Sequence, residues 1–243
     1  MFPLRDHNPT ELFPILTFAI IGVTVAVWIL LQGAGSPEYL SGSICALGVV
    51  PADLTGQVAR GAPYCTAPGI GVPTLLTSIF LHGGWGHLIG NMWFLWVFGN
   101  NIEDSMGHFR FLAFYLLTGV VAAVAQIILD PSSGVPMVGA SGAISGIMGA
   151  YVLLYPQARV DTLVFLWIVP VPAWVMLGYW FLLQLSGVMV ASSAGGGVAY
   201  AAHVGGFLTG LLLVPLFRNR KLVEAKRSGV WLSPDQIDHR GWW

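Results

Sequence analysis

Apolar residues lie in long runs along this chain, and polar residues gather in the short segments between the runs and at the two ends. A helix that crosses a lipid bilayer needs about 20 mostly apolar residues. Six runs approach this length, and we expect each of them to form a membrane-spanning helix. The predicted spans cover residues 13–31, 85–102, 109–129, 141–155, 160–185 and 198–217.

Two of these runs depart from a plain spanning helix. Run 141–155 is too short to cross alone, so residues 136–140 are expected to enter the membrane as non-helical backbone. Such backbone is tolerated there only if it is buried in protein or lines a water-filled cavity. Run 160–185 contains Pro170 and Pro172, which predict a kinked or broken helix. Residues 32–73 are rich in Gly and Pro and predict a long outer loop between the first two spans, with room for helices at the interface.

Composition supports an all-α membrane protein with six transmembrane helices. Of the 243 residues, 56% are hydrophobic and 9% are charged, whereas soluble domains carry about 25% charged residues. The net charge of −1 gives no reason to expect a nucleic acid as partner. The lipid bilayer is therefore the expected surroundings of the chain.

The basic residues predict the orientation, because cytoplasmic loops of membrane proteins carry an excess of Lys and Arg. With six spans, nine of the ten basic residues fall on one side and only Arg60 falls on the other. We therefore expect a cytoplasmic segment at 1–12, a membrane domain at 13–217 and a cytoplasmic tail at 218–243. The nine are Arg5, Arg110, Arg159, Arg218, Arg220, Lys221, Lys226, Arg227 and Arg240.

Both cysteines, Cys45 and Cys65, lie in the long loop that this orientation places outside the cytoplasm. A disulfide between them is compatible with that side of the membrane. Two unrelated small residues in a loop are an equally good interpretation, and the sequence does not decide between them.

Polar side chains inside the predicted spans mark a candidate functional layer, because such groups are costly in lipid. At ~1.5 Å per residue, Ser141 and His203 each lie ~22 Å from the cytoplasmic end of their helix. His87 and Asn91 lie ~24 Å and ~18 Å from the same side. The hydrocarbon core is ~30 Å thick, so all four groups are predicted to share one layer, nearer the outer face.

Glycine spacing predicts that two of these groups meet. Gly142 and Gly146 are four residues apart, as are Gly206 and Gly210, and such small-residue faces let helix backbones approach closely. Packed against each other, the two faces would bring Ser141 and His203 within hydrogen-bonding distance, as a nucleophile and its general base.

The remaining polar groups suit the same chemistry. Asn91, His87 and the N–H of Ser141 at its helix N-terminus could hold a developing oxyanion. No Asp or Glu lies in the outer half of any predicted span, so a dyad is expected rather than a triad. The alternatives are a packing serine and a histidine that relays protons or bonds to another helix.

The same residues resemble the motifs of the rhomboid intramembrane serine proteases. The stretch "GASG" at 139–142 resembles the nucleophile motif, and "AHVGGFLTG" at 202–210 resembles the motif of the catalytic histidine. The stretch "HGGWGHLIGNM" at 82–92 resembles the signature of the second span. The resemblance runs in order from about residue 75 to residue 216. Further matches at the approach to the third span are Gly99, Glu103, Gly107, Arg110, Phe111, Tyr115 and Gly119.

The resemblance implies a six-helix rhomboid-like bundle in which Ser141 attacks a peptide bond of a transmembrane substrate and His203 acts as base and then as acid. It implies that Asn91, His87, Gly139 and the Ser141 N–H form the oxyanion and substrate-binding site. It also implies that a loop at 186–197 caps the site and that the fifth span borders the path of the substrate. No metal or other cofactor is implied, and a bacterial inner membrane is the expected location.

Two positions depart from the family pattern. Ser145 stands where family members often have an aromatic residue that stacks on the histidine, so the group that orients His203 is left open. The stretch "GVPT" at 71–74 replaces a Trp-Arg pair of the first outer loop. Two other functions remain as alternatives. One is a catalytically silent rhomboid-like protein that binds membrane clients, and the other is a transporter or proton channel that uses His87 and His203, for which the sequence shows no inverted repeat.

Overall fold

Helices make up most of the computed structural model, which describes residues 1–59, 64–194 and 198–228, with backbone only at 191–194 and 225–228. A small sheet is formed by strands β1 (Phe2–Asp6), β2 (Arg159–Val164) and β3 (Trp167–Pro172). The helices are α1 (Ile15–Leu30), α2 (Pro37–Leu47), α3 (Pro51–Thr55), α4 (Thr74–Thr77), α5 (Trp85–Met106), α6 (His108–Leu129), α7 (Ser141–Leu154), α8 (Ala173–Ala194), α9 (Tyr200–Phe217) and α10 (Arg220–Ser228).

Five long helices, α1, α5, α6, α7 and α9, lie where the apolar runs predicted them, and α8 overlaps the second half of its run, which confirms the helical membrane-bundle class. Within the described residues, α6, α9 and the segment Ala173–Val190 of α8 are long and apolar enough to cross a membrane. Helices α1 and α7 are apolar but shorter. The protein is therefore a multi-pass membrane protein, and the count of six spans stays a prediction.

The predicted helix over residues 160–185 is wrong in its first half. Residues 159–172 form the antiparallel hairpin β2–β3, and α8 begins only at Ala173. Pro170 and Pro172 lie in β3 opposite Asp161 and Arg159. Proline has no N–H to donate. The backbone nitrogens of both prolines face away from β2, which suits a strand at the edge of a sheet.

The loop predicted at 186–197 is also wrong over most of its length. Helix α8 continues to Ala194, so residues 186–194 are helical. Residues 195–197 lie outside the described part of the chain. Helix α8 thus begins and ends later along the chain than hydropathy predicted.

The N-terminal segment joins the sheet instead of standing apart from the bundle. Strand β1 pairs antiparallel with β2, and the order in the sheet is β1-β2-β3. The indole N–H of Trp93 in α5 donates to the carbonyl of Pro3 over 2.7 Å. The carboxylate of Asp6 accepts hydrogen bonds from Asn101 and Tyr151, each at 2.6 Å. Residues 2–6 are therefore fixed to α5 and α7.

Helix α7 lies at the centre of the bundle, because 11 of its 14 residues are buried. Its glycine face packs on α9, as predicted: a β-carbon on Gly206 would overlap the carbonyl oxygen of Gly142, and one on Gly210 would overlap that of Gly146. The missing side chains let the two backbones touch. The first turns of α7 and α9 are therefore held side by side.

One end of the bundle carries buried acidic groups. The carboxylate of Glu103 in α5 accepts hydrogen bonds from the backbone N–H groups of Leu16 and Thr17 at 2.9 and 2.8 Å. These N–H groups belong to the first turn of α1, where a negative charge also faces the positive end of the helix dipole. Glu103 therefore caps α1.

The opposite end carries the long segment between α1 and α5. It contains α2 and α3, and Cys45 in α2 forms a disulfide with Cys65. The structure thus answers the question that the sequence left open. Arg60, whose side of the membrane was predicted, lies outside the described residues.

Candidate active site

Ser141 is the first residue of α7 and follows a non-helical segment. Gly139 adopts φ 127°, a conformation that favours glycine, and donates its N–H to the carbonyl of Ser78 over 2.9 Å. Met137 exchanges two backbone hydrogen bonds with Val49 of the outer segment, at 2.7 and 3.0 Å. These bonds hold the chain so that the helix begins at Ser141, where the first N–H groups have no partner within the helix.

Ser141 and His203 lie within hydrogen-bonding distance. The hydroxyl oxygen of Ser141 is 2.8 Å from Nε2 of His203, which lies in the first turn of α9. The glycine contact between α7 and α9 produces this proximity, since Ser141 precedes Gly142 and His203 is three residues before Gly206.

The other side of the imidazole faces α8. Nδ1 of His203 is 2.8 Å from Oε1 of Gln184. The indole ring of Trp180 lies one turn earlier on the same helix, with its centroid 5.9 Å from that of His203 and a tilt of 39°. Ser145 is buried on α7, and its hydroxyl donates to the carbonyl of Ser141 over 2.6 Å.

Gln184 and Trp180 were missed by the sequence interpretation. Gln184 is a polar residue within an apolar run, which is the criterion that selected His87, Asn91 and His203. The same criterion could therefore have selected Gln184. It could not show that the side chain of Gln184 points towards His203, because this direction depends on how α8 packs on α9.

Two hydrogen-bond donors face the backbone just before Ser141. A β-carbon on Gly139 would lie 2.7 Å from Nε2 of His87 and 3.5 Å from Nδ2 of Asn91. His87 Nδ1 accepts the N–H of Gly83 over 3.3 Å, so a neutral ring carries its proton on Nε2. Nδ2 of Asn91 is buried and has no hydrogen-bond partner in the described part of the chain. Both nitrogens are thus available to an acceptor placed beside Ser141.

All four predicted polar groups line one cavity of about 1160 Å³. Trp180 of α8 and Tyr200 at the start of α9 also line it. Ser141, His203, His87 and Asn91 thus share one cavity, and their common depth in the membrane stays a prediction. Among the described residues, no group of three or more His, Cys, Asp or Glu is arranged to hold a metal ion.

This arrangement is suited to acyl transfer. The serine hydroxyl can pass its proton to the imidazole and act as a nucleophile. Donors already in place beside the serine can stabilise the negative charge that develops on a substrate carbonyl oxygen. The groups come from α5, α7 and α9, so only the folded bundle assembles them.

Comparison with known proteins gives a consistent assignment. A protein-family model described as the Rhomboid domain matches residues 71–220. Rhomboid protein 1, mitochondrial, from Saccharomyces cerevisiae is 30% identical over 146 residues, which cover 57% of this chain and 40% of the relative. Rhomboid protease GluP from Bacillus subtilis is 44% identical over 81 residues, which cover 33% of this chain and 15% of the relative. The chain thus matches less than half the length of each of these relatives.

Proposed function

The chain belongs to the rhomboid family, and on that basis we propose that it is an intramembrane serine protease with Ser141 as nucleophile and His203 as general base. The observation that carries the proposal is the 2.8 Å distance between the Ser141 hydroxyl and His203 Nε2 in a cavity within a membrane bundle. Among the residues that the structure describes, His203 bonds to Ser141 and Gln184 and to no carboxylate, so we propose a dyad as the catalytic unit.

The reaction follows from the positions of these groups. His203 Nε2 takes the proton of the Ser141 hydroxyl while the oxygen attacks the carbonyl carbon of the scissile peptide bond. The oxyanion of the tetrahedral intermediate accepts hydrogen bonds from His87 Nε2, Asn91 Nδ2 and the Ser141 N–H. The imidazolium then gives its proton to the departing amine, and an acyl-enzyme remains.

Hydrolysis reverses these roles. A water molecule gives a proton to His203 Nε2 and attacks the ester carbon, and the same donors hold the second oxyanion. Collapse of this intermediate breaks the bond to Ser141 Oγ, which regains its proton from His203, and a carboxylate product leaves. In this sequence of steps the chain supplies the nucleophile, the general base and the oxyanion donors, and the solvent supplies the water.

The substrates are transmembrane segments of other membrane proteins. Because the nucleophile lies within a bundle of apolar helices, a substrate reaches it from the bilayer, with the residues near the cut unwound. An unwound segment exposes backbone polar groups, which are costly in lipid and are tolerated in a polar cavity. Helix-weakening residues near the cut and a small residue before it fit this requirement.

The arrangement in the membrane belongs to the same proposal. Six spans place both chain ends in the cytoplasm of a bacterium, with the membrane domain at 13–217. Support comes from Arg5, Arg110, Arg159 and Arg218, which lie in or beside elements at the end of the bundle that carries Glu103. Further support comes from the disulfide at the opposite end, since disulfides persist outside the reducing cytosol.

Cleavage of a helical membrane substrate by the purified protein in liposomes tests the proposal. We expect Ser141→Ala and His203→Ala to abolish cleavage while both variants keep the thermal unfolding of the parent. A fluorophosphonate probe should label the parent at Ser141 and leave Ser141→Ala unlabelled. Undiminished cleavage by Ser141→Ala would overturn the proposal.

The same measurements separate the two alternatives. A folded parent that neither cleaves nor labels would indicate a client-binding protein without catalysis. Ion or solute flux that depends on His87 and His203 but not on Ser141 would indicate a transporter or channel. Serine hydrolases keep residual activity when one catalytic group is lost, so the cleavage assay must resolve slow rates.

A further inference from the structure

We propose that Gln184 positions the histidine of the active site, and that it fixes which nitrogen of His203 carries the proton. This inference rests on the proposed function, because it assigns a role to a residue that acts through the general base. It supplies the third group that the dyad lacks, and it places that group on α8, outside every motif that identified the site.

The hydrogen bond defines the tautomer of the imidazole. Oε1 of the Gln184 side chain is an acceptor, and it lies 2.8 Å from His203 Nδ1. A neutral imidazole has one N–H donor and one bare nitrogen. When Nδ1 donates to Gln184, Nε2 is left with the lone pair that must accept the proton of Ser141, which is 2.8 Å away.

Trp180 helps to hold the same ring. Trp180 and Gln184 are four residues apart on α8, so they lie on one face of the helix. The indole packs at 5.9 Å from the imidazole and at 6.2 Å from Phe207, one turn further along α9. The amide of Gln184 therefore limits rotation of the His203 imidazole within the plane of that imidazole. The indole of Trp180 packs against one face of the imidazole.

This pair explains the departure at Ser145. The position on α7 where an aromatic residue was expected holds a small, buried serine whose hydroxyl bonds to the main chain. A ring on α8 lies against the histidine instead. The orientation of His203 therefore depends on the packing of α8 on α9, and not on α7 alone.

A neutral amide suits this place better than a carboxylate. An ionised Asp or Glu inside a membrane bundle is expensive unless it is paired. The dipole of the glutamine amide orients the imidazole without bringing a permanent charge into the bundle. Stabilisation of the imidazolium by this dipole is weaker than stabilisation by a full negative charge, which gives the role a measurable signature.

Two substitutions at position 184 test the role. Gln184→Leu replaces the amide with an apolar side chain and removes the acceptor, so kcat should fall about 10- to 100-fold with little change in KM. Gln184→Glu restores an acceptor, so activity near neutral pH should recover to within about 3-fold of the parent. Because a carboxylate stabilises the imidazolium, the acidic limb of the kcat profile should move to higher pH in this variant.

The other titratable groups of the cavity do not affect the comparison of pH profiles between the variants at position 184. His87, Asp130, Tyr64 and Tyr200 line the same cavity and are unchanged in both variants, so a shift between variants reports the group at position 184. Ser186→Ala is the matched control on α8, because its hydroxyl bonds only to Leu183 of its own helix among the described contacts. This variant should cleave like the parent.

The rate of fluorophosphonate labelling gives a second readout that needs no peptide substrate. It should fall in Gln184→Leu, with thermal unfolding unchanged, and recover in Gln184→Glu. Equal cleavage and labelling in Gln184→Leu and the parent would overturn the role of Gln184 and leave the proposed protease intact. The role would also be overturned if Gln184→Leu lost activity while Gln184→Glu showed neither a recovery of activity nor a shift of its pH profile. A parent that neither cleaves nor labels would instead refute the proposed function.

Discussion

Gly210 of α9 lies so close to Gly146 of α7 that a β-carbon on Gly210 would overlap the carbonyl oxygen of Gly146. Gly206 and Gly142 meet in the same way one turn nearer the cavity. These two contacts determine the separation of the helices that carry Ser141 and His203. The geometry of the dyad is therefore set by residues that have no side chains.

Gly210→Ala should consequently reduce both stability and activity. The methyl group meets backbone atoms that cannot rotate away, so the helices must separate, at a cost of about 1–3 kcal/mol. We expect a lower midpoint of thermal unfolding and slower cleavage. Gly178→Ala on α8 is the control, because its β-carbon would meet nothing within 4 Å. Equal loss in both variants would show that helix separation is not the cause.

Asn91→Ala should reduce catalysis without loosening the fold. Nδ2 of Asn91 is buried and has no hydrogen-bond partner among the residues that the structure describes, so its removal breaks no hydrogen bond found there. If it stabilises the oxyanion, kcat should fall about 100- to 1000-fold while KM changes little. Kinetics with a helical substrate would check this, and an unchanged kcat would remove Asn91 from the oxyanion site.

The disulfide between Cys45 and Cys65 should stabilise the outer segment. Its partners are 20 residues apart, and closing a loop of this size contributes about 3 kcal/mol by restricting the unfolded chain. Cys45→Ser with Cys65→Ser should therefore lower the midpoint of thermal unfolding. Maleimide labelling of the unreduced parent at either cysteine would contradict the pairing.

The ion pair between Arg5 of β1 and Asp161 of β2 should contribute less to the stability of the fold at low pH. Hydrogen bonds from Arg5, and then from His7, hold the pKa of the Asp161 carboxyl below its usual range. A carboxyl with a lowered pKa in the folded state contributes stability above its unfolded pKa of about 3.9 and loses it as the pH falls further.

Unfolding measurements on Asp161→Asn from pH 7 down to about pH 2 test this relation. Near neutral pH the variant should be slightly less stable than the parent, because pairs of this kind at a protein surface contribute little. Below the pKa of the folded carboxyl the two proteins should unfold alike. A difference that grows towards low pH would contradict the expected sign.

Much of the helical architecture was predictable from local patterns. Runs of apolar residues located α1 and α5 to α9 to within a few residues at most ends, because hydropathy is a property of consecutive residues. The hairpin of residues 159–172 was not predictable in the same way. Its strands are as apolar as a helix of the same length, and periodicity does not separate a short apolar strand from a helical segment.

Part of the candidate site was predictable for a similar reason. The prediction failed where a contact depends on how two helices pack. Depth along a helix follows from residue number, so Ser141, His203, His87 and Asn91 could be placed in one layer from the sequence. Gln184 belongs to the same class of polar residue within an apolar run, but its contact with His203 could not be seen. That contact depends on the rotation of α8 about its axis and on where the helix begins after β3.

The sequence by itself determined the membrane class, the positions of most long helices, the small-residue faces of α7 and α9 and the residues available for chemistry. Only the tertiary structure decided that α8 begins at Ala173, that Cys45 pairs with Cys65 and that His203 lies between Ser141 and Gln184. Hydropathy and small-residue spacing act along one helix and can be read from neighbouring residues. The choice of a partner depends on the packing of helices far apart in the chain, and no local pattern records it.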